Sequence, residues 1–257
     1  MKKLFLFLAF TICTLSFVQS DENSFKSGEF LKYRIHYGLL NAGFATLEIT
    51  EKNYEGVPHF HVVGKGSTSG AVRAFYKVDD RYETYINKTN NKPSKFVRDI
   101  YEGGYERDQI ITFDHDKKLA KVHDRTKQDV YFKEFDGEVQ DLLSALYYLR
   151  NYDTDELKVG DYLGLDILMA EETYKFKLKL LGRETIKTRF GRISCLKIRP
   201  YVQSGRIFKA SESVTMWISD DENLVPIQIK AELAVGSLKA DLYEYKNVKS
   251  PLKFTKK

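Results

Sequence analysis

His59 and His61 stand two residues apart in Val57-Pro58-His59-Phe60-His61-Val62. On an extended chain this spacing puts both imidazoles on one face and Phe60 and Val62 on the other, an arrangement able to share a metal ion. A metal site needs three or four converging ligands, and Asp114-His115-Asp116 and His123 are too remote in sequence to be placed beside the pair. The residues therefore predict two polar rings on the wet face of a strand. His59 and His61 are the only metal candidates, and no metal or other cofactor is expected. Gly64-Lys65-Gly66-Ser67-Thr68-Ser69-Gly70 has the small residues of a phosphate cradle. Its Lys lies between glycines, neither Gly-rich fingerprint order is met, and no clear helix follows to present N–H groups. It reads as a flexible connection between strands. Asp220-Asp221-Glu222-Asn223 lacks the alternating ligands, central Gly and distal Glu of a calcium loop, and reads as an acidic hairpin turn.

Nucleophilic chemistry has no clear signature: neither a Gly-x-Ser-x-Gly elbow nor a His-Glu-x-x-His helix occurs. The pairs Glu48 with Glu51 and Asp79 with Asp80 carry no spacing that separates glycoside chemistry from a solvated surface. Cys195 is flanked by Ile193, Leu196 and Ile198, which predicts a small buried hydrophobe in a strand rather than a reactive thiol. A non-catalytic protein is expected.

The elements that would position these residues are strands. Leu31, Tyr33, Ile35 and Tyr37 alternate with Lys32, Arg34 and His36, and the same period of two recurs at Ala45, Leu47 and Ile49. It is cleanest at Tyr174, Phe176, Leu178 and Leu180 against Lys175, Lys177 and Lys179, and returns at Val214, Met216, Ile218 and at Val225, Ile227, Ile229. Such alternation belongs to antiparallel sheets with one wet face. Turn chemistry at 53–56, 102–105, 114–117 and 220–223 implies successive hairpins. Roughly a dozen strands at this spacing predict an all-β fold, a curved sheet forming an open barrel or a β-sandwich. One helix interrupts them near 138–150, where Val139, Leu142, Leu143, Leu146 and Leu149 approach helical spacing and Asp136 is the candidate cap. The acidic segment 151–161 is the one internal boundary, yet it lacks linker character, so residues 21–257 are expected to form a single β-rich domain.

The chain of 257 residues is 42% hydrophobic, 14% aromatic and 30% charged, which excludes disorder and low complexity. Lys2 and Lys3 followed by the apolar run Leu4–Val18 predict a cleaved signal peptide over residues 1–20, the run being shorter than the ~20 residues of a spanning helix. Cys13 lies within that run without the lead of a lipid-attachment site. Loss of Lys2 and Lys3 lowers the net charge from +5 to +3, mildly basic and without the clustering of a nucleic-acid surface. The lysines of 249–257 read as a frayed, solvated terminus. Charged faces opposite the apolar ones, and short strands, argue against a transmembrane barrel, so no integral membrane protein is expected.

Several segments carry a family resemblance: Phe25-Lys26-Ser27-Gly28-Glu29-Phe30-Leu31-Lys32-Tyr33, Asn41-Ala42-Gly43-Phe44-Ala45-Thr46 and Tyr76-Lys77-Val78-Asp79-Asp80-Arg81. With them go Glu102-Gly103-Gly104-Tyr105, Asp141 to Arg150, and Trp217-Ile218-Ser219 through Pro226. In combination they resemble the DUF3108 family of proteins of unknown function. The resemblance implies a secreted β-rich protein of a Gram-negative envelope, periplasmic in location, and lends no catalytic residues. A curved sheet with a helix is also similar to periplasmic lipoprotein carriers, an analogy of fold alone.

The aromatic stock, 17 Tyr, 17 Phe and one Trp, is the remaining positive feature. A curved sheet placing Leu31, Tyr33, Ile35, Tyr37, Tyr174, Phe176 and Leu178 on its concave face suits an apolar or lipid-like envelope ligand. The rival readings are an adaptor or regulator that docks onto another envelope protein and, third, an envelope hydrolase with a cleft of converging polar groups.

Overall fold

The computed structural model describes residues 23–170, 172–203 and 214–256. The first meander comprises β1 (Phe30–Tyr37), β2 (Leu40–Tyr54), β3 (Val57–Thr68), β4 (Val78–Asn87), β5 (Pro93–Glu102), β6 (Tyr105–Asp114), β7 (Leu119–Asp124) and β8 (Asp129–Glu134). A short helix, α1 (Gly70–Phe75), links β3 to β4. The second comprises β9 (Val139–Gln140), β10 (Tyr162–Met169), β11 (Glu172–Lys187), β12 (Arg192–Gln203), β13 (Val214–Ser219), β14 (Pro226–Glu232) and β15 (Ser237–Lys246). Helix α2 (Leu142–Leu149) lies between β9 and β10.

Among the described residues all 15 strands belong to one sheet, ordered β8 through β1, then β15 down to β9. The seam between the meanders is the antiparallel pair β1–β15, with Tyr37 opposite Leu238 and Phe30 opposite Lys246. Every pairing is antiparallel except β9 on β10. The two edges of this sheet, β8 and β9, are joined by only residues 135–138, a stretch that spans at most roughly 18 Å. Edges held so close oblige the sheet to curl into a barrel-like shell. Across the gap they share one core, in which Ala120 and Val122 of β7 join Val139 of β9 and Leu168 of β10.

The alternating pattern thus yields a mostly antiparallel sheet, with more strands than the dozen expected and with α1 as an unforeseen second helix. Residues 64–68 are part of β3 and are followed by α1, so they are neither a flexible connection nor without a helix after them. Gly64 has a packing reason: a Cβ there would press on Leu143 and Leu47 at 3.3 Å, so its absence lets α2 approach the sheet. The proposed leader, residues 1–20, lies outside the described residues.

Helix α2 starts later than its periodicity implied, because Val139 and Gln140 pair with β10 instead. Its cap is Asp141, not Asp136. One carboxylate oxygen of Asp141 accepts from the backbone N–H groups of Leu143 and Ser144, each at 2.8 Å, while the Ser144 hydroxyl returns to accept from the Asp141 N–H. Thr84 Oγ1 of β4 donates to the other oxygen at 2.5 Å, fastening the helix start to the shell.

Burial pushes the Asp141 carboxyl up to about 6, although the hydroxyl and N–H donors oppose the rise. A carboxyl raised in the folded state binds its proton there more tightly than in the unfolded chain. Its stability contribution is therefore complete below about pH 4 and is lost as pH rises through about 6. Asp141→Asn, which keeps the cap, should flatten the pH dependence of unfolding between pH 4 and 6 by about 2 kcal/mol, measured by urea titration. An unchanged slope would assign that dependence elsewhere.

Candidate ligand cavity

Helix α2 is apolar on two sides. Leu143 and Tyr147 enter the core beneath β2–β7, with Phe25, Phe60 and Ile111. Leu142, Ala145, Leu146 and Leu149 form a stripe at i, i+3, i+4 and i+7 that faces a separate space under β10–β13. Leu163 and Ile167 of β10, Phe176, Leu178 and Leu180 of β11, Leu196 and Ile198 of β12, and Met216 and Ile218 of β13 complete its walls. The cavity measures about 140 Å³. An apolar cavity of about this size stays dry and accepts one aromatic ring, whereas a site for a whole drug-sized molecule is about 300–1,000 Å³. It therefore fits the end of an apolar group, not an entire lipid.

The polar residues at its margin are Arg150, Thr154 and Asp161. Arg150 follows the last turn of α2 and is 2% exposed. Its guanidinium meets Glu29 in a two-pronged pair, at 2.6 and 2.8 Å, and donates to the carbonyl of Asn223 at 2.9 Å. Burial would lower the Arg150 pKa, but the Glu29 carboxylate outweighs it and holds the guanidinium above its ordinary value. The rings of Tyr147 and Phe25 lie 5.2 and 5.7 Å from the guanidinium carbon. This end of the cavity is thereby a fixed wall.

Beyond that wall, Arg150, Thr154 and Leu224 also border an open polar cleft with Asp153, Asp155, Asp220, Asp221, Glu222, Lys249 and Lys253. The 220–223 segment is the turn expected, closed on itself by Asp221, whose carboxylate accepts from Ser219 Oγ and the Asn223 N–H. The C-terminal segment is held, not frayed, from Lys249 to Thr255. Lys249 Nζ donates to the Asn23 carbonyl, Ser250 N–H donates to Asn223 Oδ1 at 2.9 Å, and the Thr255 backbone bridges to Arg192. Leu252 and Phe254 pack into a hydrophobic cluster, which is why the tail is held.

The residues singled out for a concave apolar face separate. Phe176 and Leu178 line the cavity. Leu31 and Tyr33 sit instead in a filled cluster with Trp217, Val225 and Ile227, where Tyr33 Oη donates to the Pro226 carbonyl at 3.0 Å. Ile35 and Tyr174 are half-buried, and Tyr37 is exposed near a hairpin end, its hydroxyl donating to Val235 O. What sequence reasoning missed is the rest of the lining: the stripe of α2 and the inward residues of β10, β12 and β13. The stripe was legible in Leu142, Leu146 and Leu149, but their partners, dozens of residues distant, were not.

His59 and His61 share a face, yet they are not solvated. They are 2% and 3% exposed, covered by Tyr54 and Tyr85. His59 uses both ring nitrogens, toward Val57 O at 2.8 Å and Ser94 Oγ at 2.7 Å, and His61 Nε2 lies 2.6 Å from Glu83 Oε2. Burial, partly offset by Glu83, lowers the His61 pKa. Among the described residues no three His, Cys, Asp or Glu side chains converge on a metal position.

Ser194-Cys195-Leu196-Lys197 has a Ser-x-x-Lys spacing. On β12 an offset of three puts Ser194 and Lys197 on opposite faces, whereas a helix would bring them together. The Cys195 thiol is pushed up to about 12 by burial and neighbouring carboxylates, which makes it inert.

Shell, inward helix and apolar cavity together define a β-barrel-like protein. The chain belongs to the DUF3108 family, proteins of unknown function, whose model matches residues 32–243. Among solved structures it is similar to a β-barrel-like protein of the DUF1849 family from Brucella abortus, at 9% identity and a TM-score of 0.57, over 87% of this chain and 99% of that one. A candidate lipoprotein from Parabacteroides distasonis, at 10% identity, covers 88% of this chain and 98% of its own, with a TM-score of 0.33. Comparison with curated proteins found no match. Among the described residues no helix is long and apolar enough to cross a membrane.

Proposed function

We propose that this is a non-catalytic protein of the bacterial periplasm that holds the apolar end of an envelope molecule in the cavity between α2 and β10–β13. The observation that carries the reading is the cavity's composition: aliphatic and aromatic side chains from one helix and four strands surround a space of about 140 Å³. Such a space favours an apolar guest because its walls make no competing hydrogen bonds. The polar cleft that shares Arg150, Thr154 and Leu224 gives a hydrophilic remainder of the guest a place outside. Periplasmic location rests on the leader and on the family resemblance.

The test is native mass spectrometry with lipid extraction of protein purified gently from its own envelope fraction, alongside thermal shift with octanol. A co-purifying acyl species, and an octanol-induced rise in midpoint, are expected. Ala145→Leu extends carbon atoms into the space and should weaken octanol binding by about tenfold or more, with little loss of fold. A ligand-free wild-type protein indifferent to octanol would sink the reading and favour the adaptor.

A further inference from the structure

The cavity beneath α2 and the open polar cleft have three lining residues in common, Arg150, Thr154 and Leu224. Two of them are clamped. Arg150 is bound by Glu29 and the Asn223 carbonyl, and Leu224 is 5% exposed in a turn whose Asn223 Oδ1 accepts from the Ser250 N–H. A guest with its apolar end in the cavity and its remainder in the cleft therefore passes beside Thr154. The other lining residues belong to α2 and to β10–β13, whose backbones are locked in helix and ladder hydrogen bonds, or, for Leu157 and Asp161, to the same segment as Thr154.

That segment is irregular and pinned at both ends. At its start the Ser24 N–H donates to Asn151 Oδ1 at 2.9 Å, and Tyr152 Oη donates to Gly164 O at 3.1 Å. At its end the Gly160 N–H donates to Leu180 O and the Leu180 N–H to Asp161 O, each at 2.9 Å. Between the pins, residues 153–159 put one large apolar side chain into the cavity, Leu157, while Val159 is 70% exposed. Asp153, Asp155, Glu156 and Lys158 face solvent as well. The Leu157 N–H bond to Thr154 O and the Lys158 N–H bond to Asp161 Oδ2 are local, and travel with the segment if it swings about its pins.

Among the described residues a single side chain ties 153–159 to the sheet by hydrogen bonds. Arg183 of β11 donates from Nη2 to Thr154 O at 2.7 Å and from Nη1 to Leu157 O at 3.1 Å, while its Nε lies 3.4 Å from the Asp220 carboxylate. The planar guanidinium bridges the two carbonyls as one unit, so they are released together. Its side chain is 38% exposed, and water replaces each of these bonds as it breaks, so that opening is far less costly here than anywhere along α2 or the strands. We propose that residues 153–159 are a flap that admits the guest, with Leu157 as its stopper and Arg183 as its latch. The flap rests on the cavity being a guest site, and adds the route by which that site is loaded.

The experiment follows octanol exchange by NMR line shape, and amide hydrogen exchange across 153–159, in wild type and in Arg183→Gln. The variant should bind and release octanol about tenfold faster, with the two rates rising together so that Kd stays within about twofold of wild type. Hydrogen exchange of the 153–159 amides should quicken by a similar factor. An Arg183 that serves the fold alone would lower the thermal midpoint and leave octanol exchange at the wild-type rate. Wild type that binds octanol, with a variant that exchanges it no faster, would overturn the flap and route the guest past Leu142, 41% exposed at the other end of α2. Wild type that does not bind octanol would overturn the cavity reading, and the flap with it. Should Arg183→Gln misfold, Leu157→Ala removes the stopper with every Arg183 bond in place. Faster octanol release is expected from it, and release at the wild-type rate would equally overturn the flap.

Discussion

Replacing Arg150 with Met should lower the unfolding free energy by about 3–5 kcal/mol and the thermal midpoint by roughly 10 °C. The reason is what remains. Glu29 is fully buried, and its partner in the fold is this guanidinium, bound through both carboxylate oxygens. Two charges removed from water are tolerable only while they satisfy each other, so truncating one leaves the other with its desolvation cost uncompensated. The carbonyls of Asn223 and Ser24 lose donors at the same time, at 2.9 and 3.3 Å. A double variant, Glu29→Leu with Arg150→Met, should recover most of the loss, since a buried pair replaced by apolar groups is often near neutral. Urea titration at constant m-value separates these outcomes. A single-variant loss under about 1 kcal/mol would show that water reaches the pair.

That pair also marks where legibility ended. The period of two in 31–37 and 174–180 fixes strands, because alternate side chains on an extended chain must face opposite ways. Antiparallel hairpins follow from the turns between neighbours. Nothing local specifies that β1 pairs with β15, closing residue 30 on residue 246, or that residues 135–138 bring the two free edges together. Those pairings are set by which buried faces match once the sheet is assembled. Glu29 and Arg150 lie 121 positions apart, and each alone reads as a surface charge. Both fall within segments resembling the family, so the resemblance marked them without giving their purpose.

The cavity shows the same division. Phe176 and Leu178 were found because β11 alternates cleanly. Leu196 was hidden because its neighbour Cys195 is buried too, in a different cluster, which erases the alternation that marks a single inward face. Leu31 and Tyr33 had the right pattern for a ligand-facing strand and yet fill a closed core. Periodicity reports which side chains leave water, not whether another side chain or a ligand meets them.

Phe25→Ala should cost about 3–5 kcal/mol, nearly as much as the loss of Arg150, although residue 25 lies outside any helix or strand. The ring is 1% exposed and stands edge-on to Phe60 at 5.1 Å and to Tyr147 at 4.9 Å. It therefore joins β3 to α2 through the short segment that also brings Ser24 to Asn151 and Glu29 to Arg150. Truncation removes the transfer free energy of the ring and two aromatic contacts, and leaves a void that rigid strands cannot collapse. Phe25→Leu, closer in volume, should cost less than about 2 kcal/mol. Since the Arg150 guanidinium lies over the same ring, the losses in Phe25→Ala and Arg150→Met should not add, their coupling reaching about 1 kcal/mol or more in a double-mutant cycle. Strict additivity would mean that the aromatic contacts and the ion pair hold residues 23–29 independently. Coupling would mean that this segment, α2 and the 220–225 turn unfold together, as one plug in the shell.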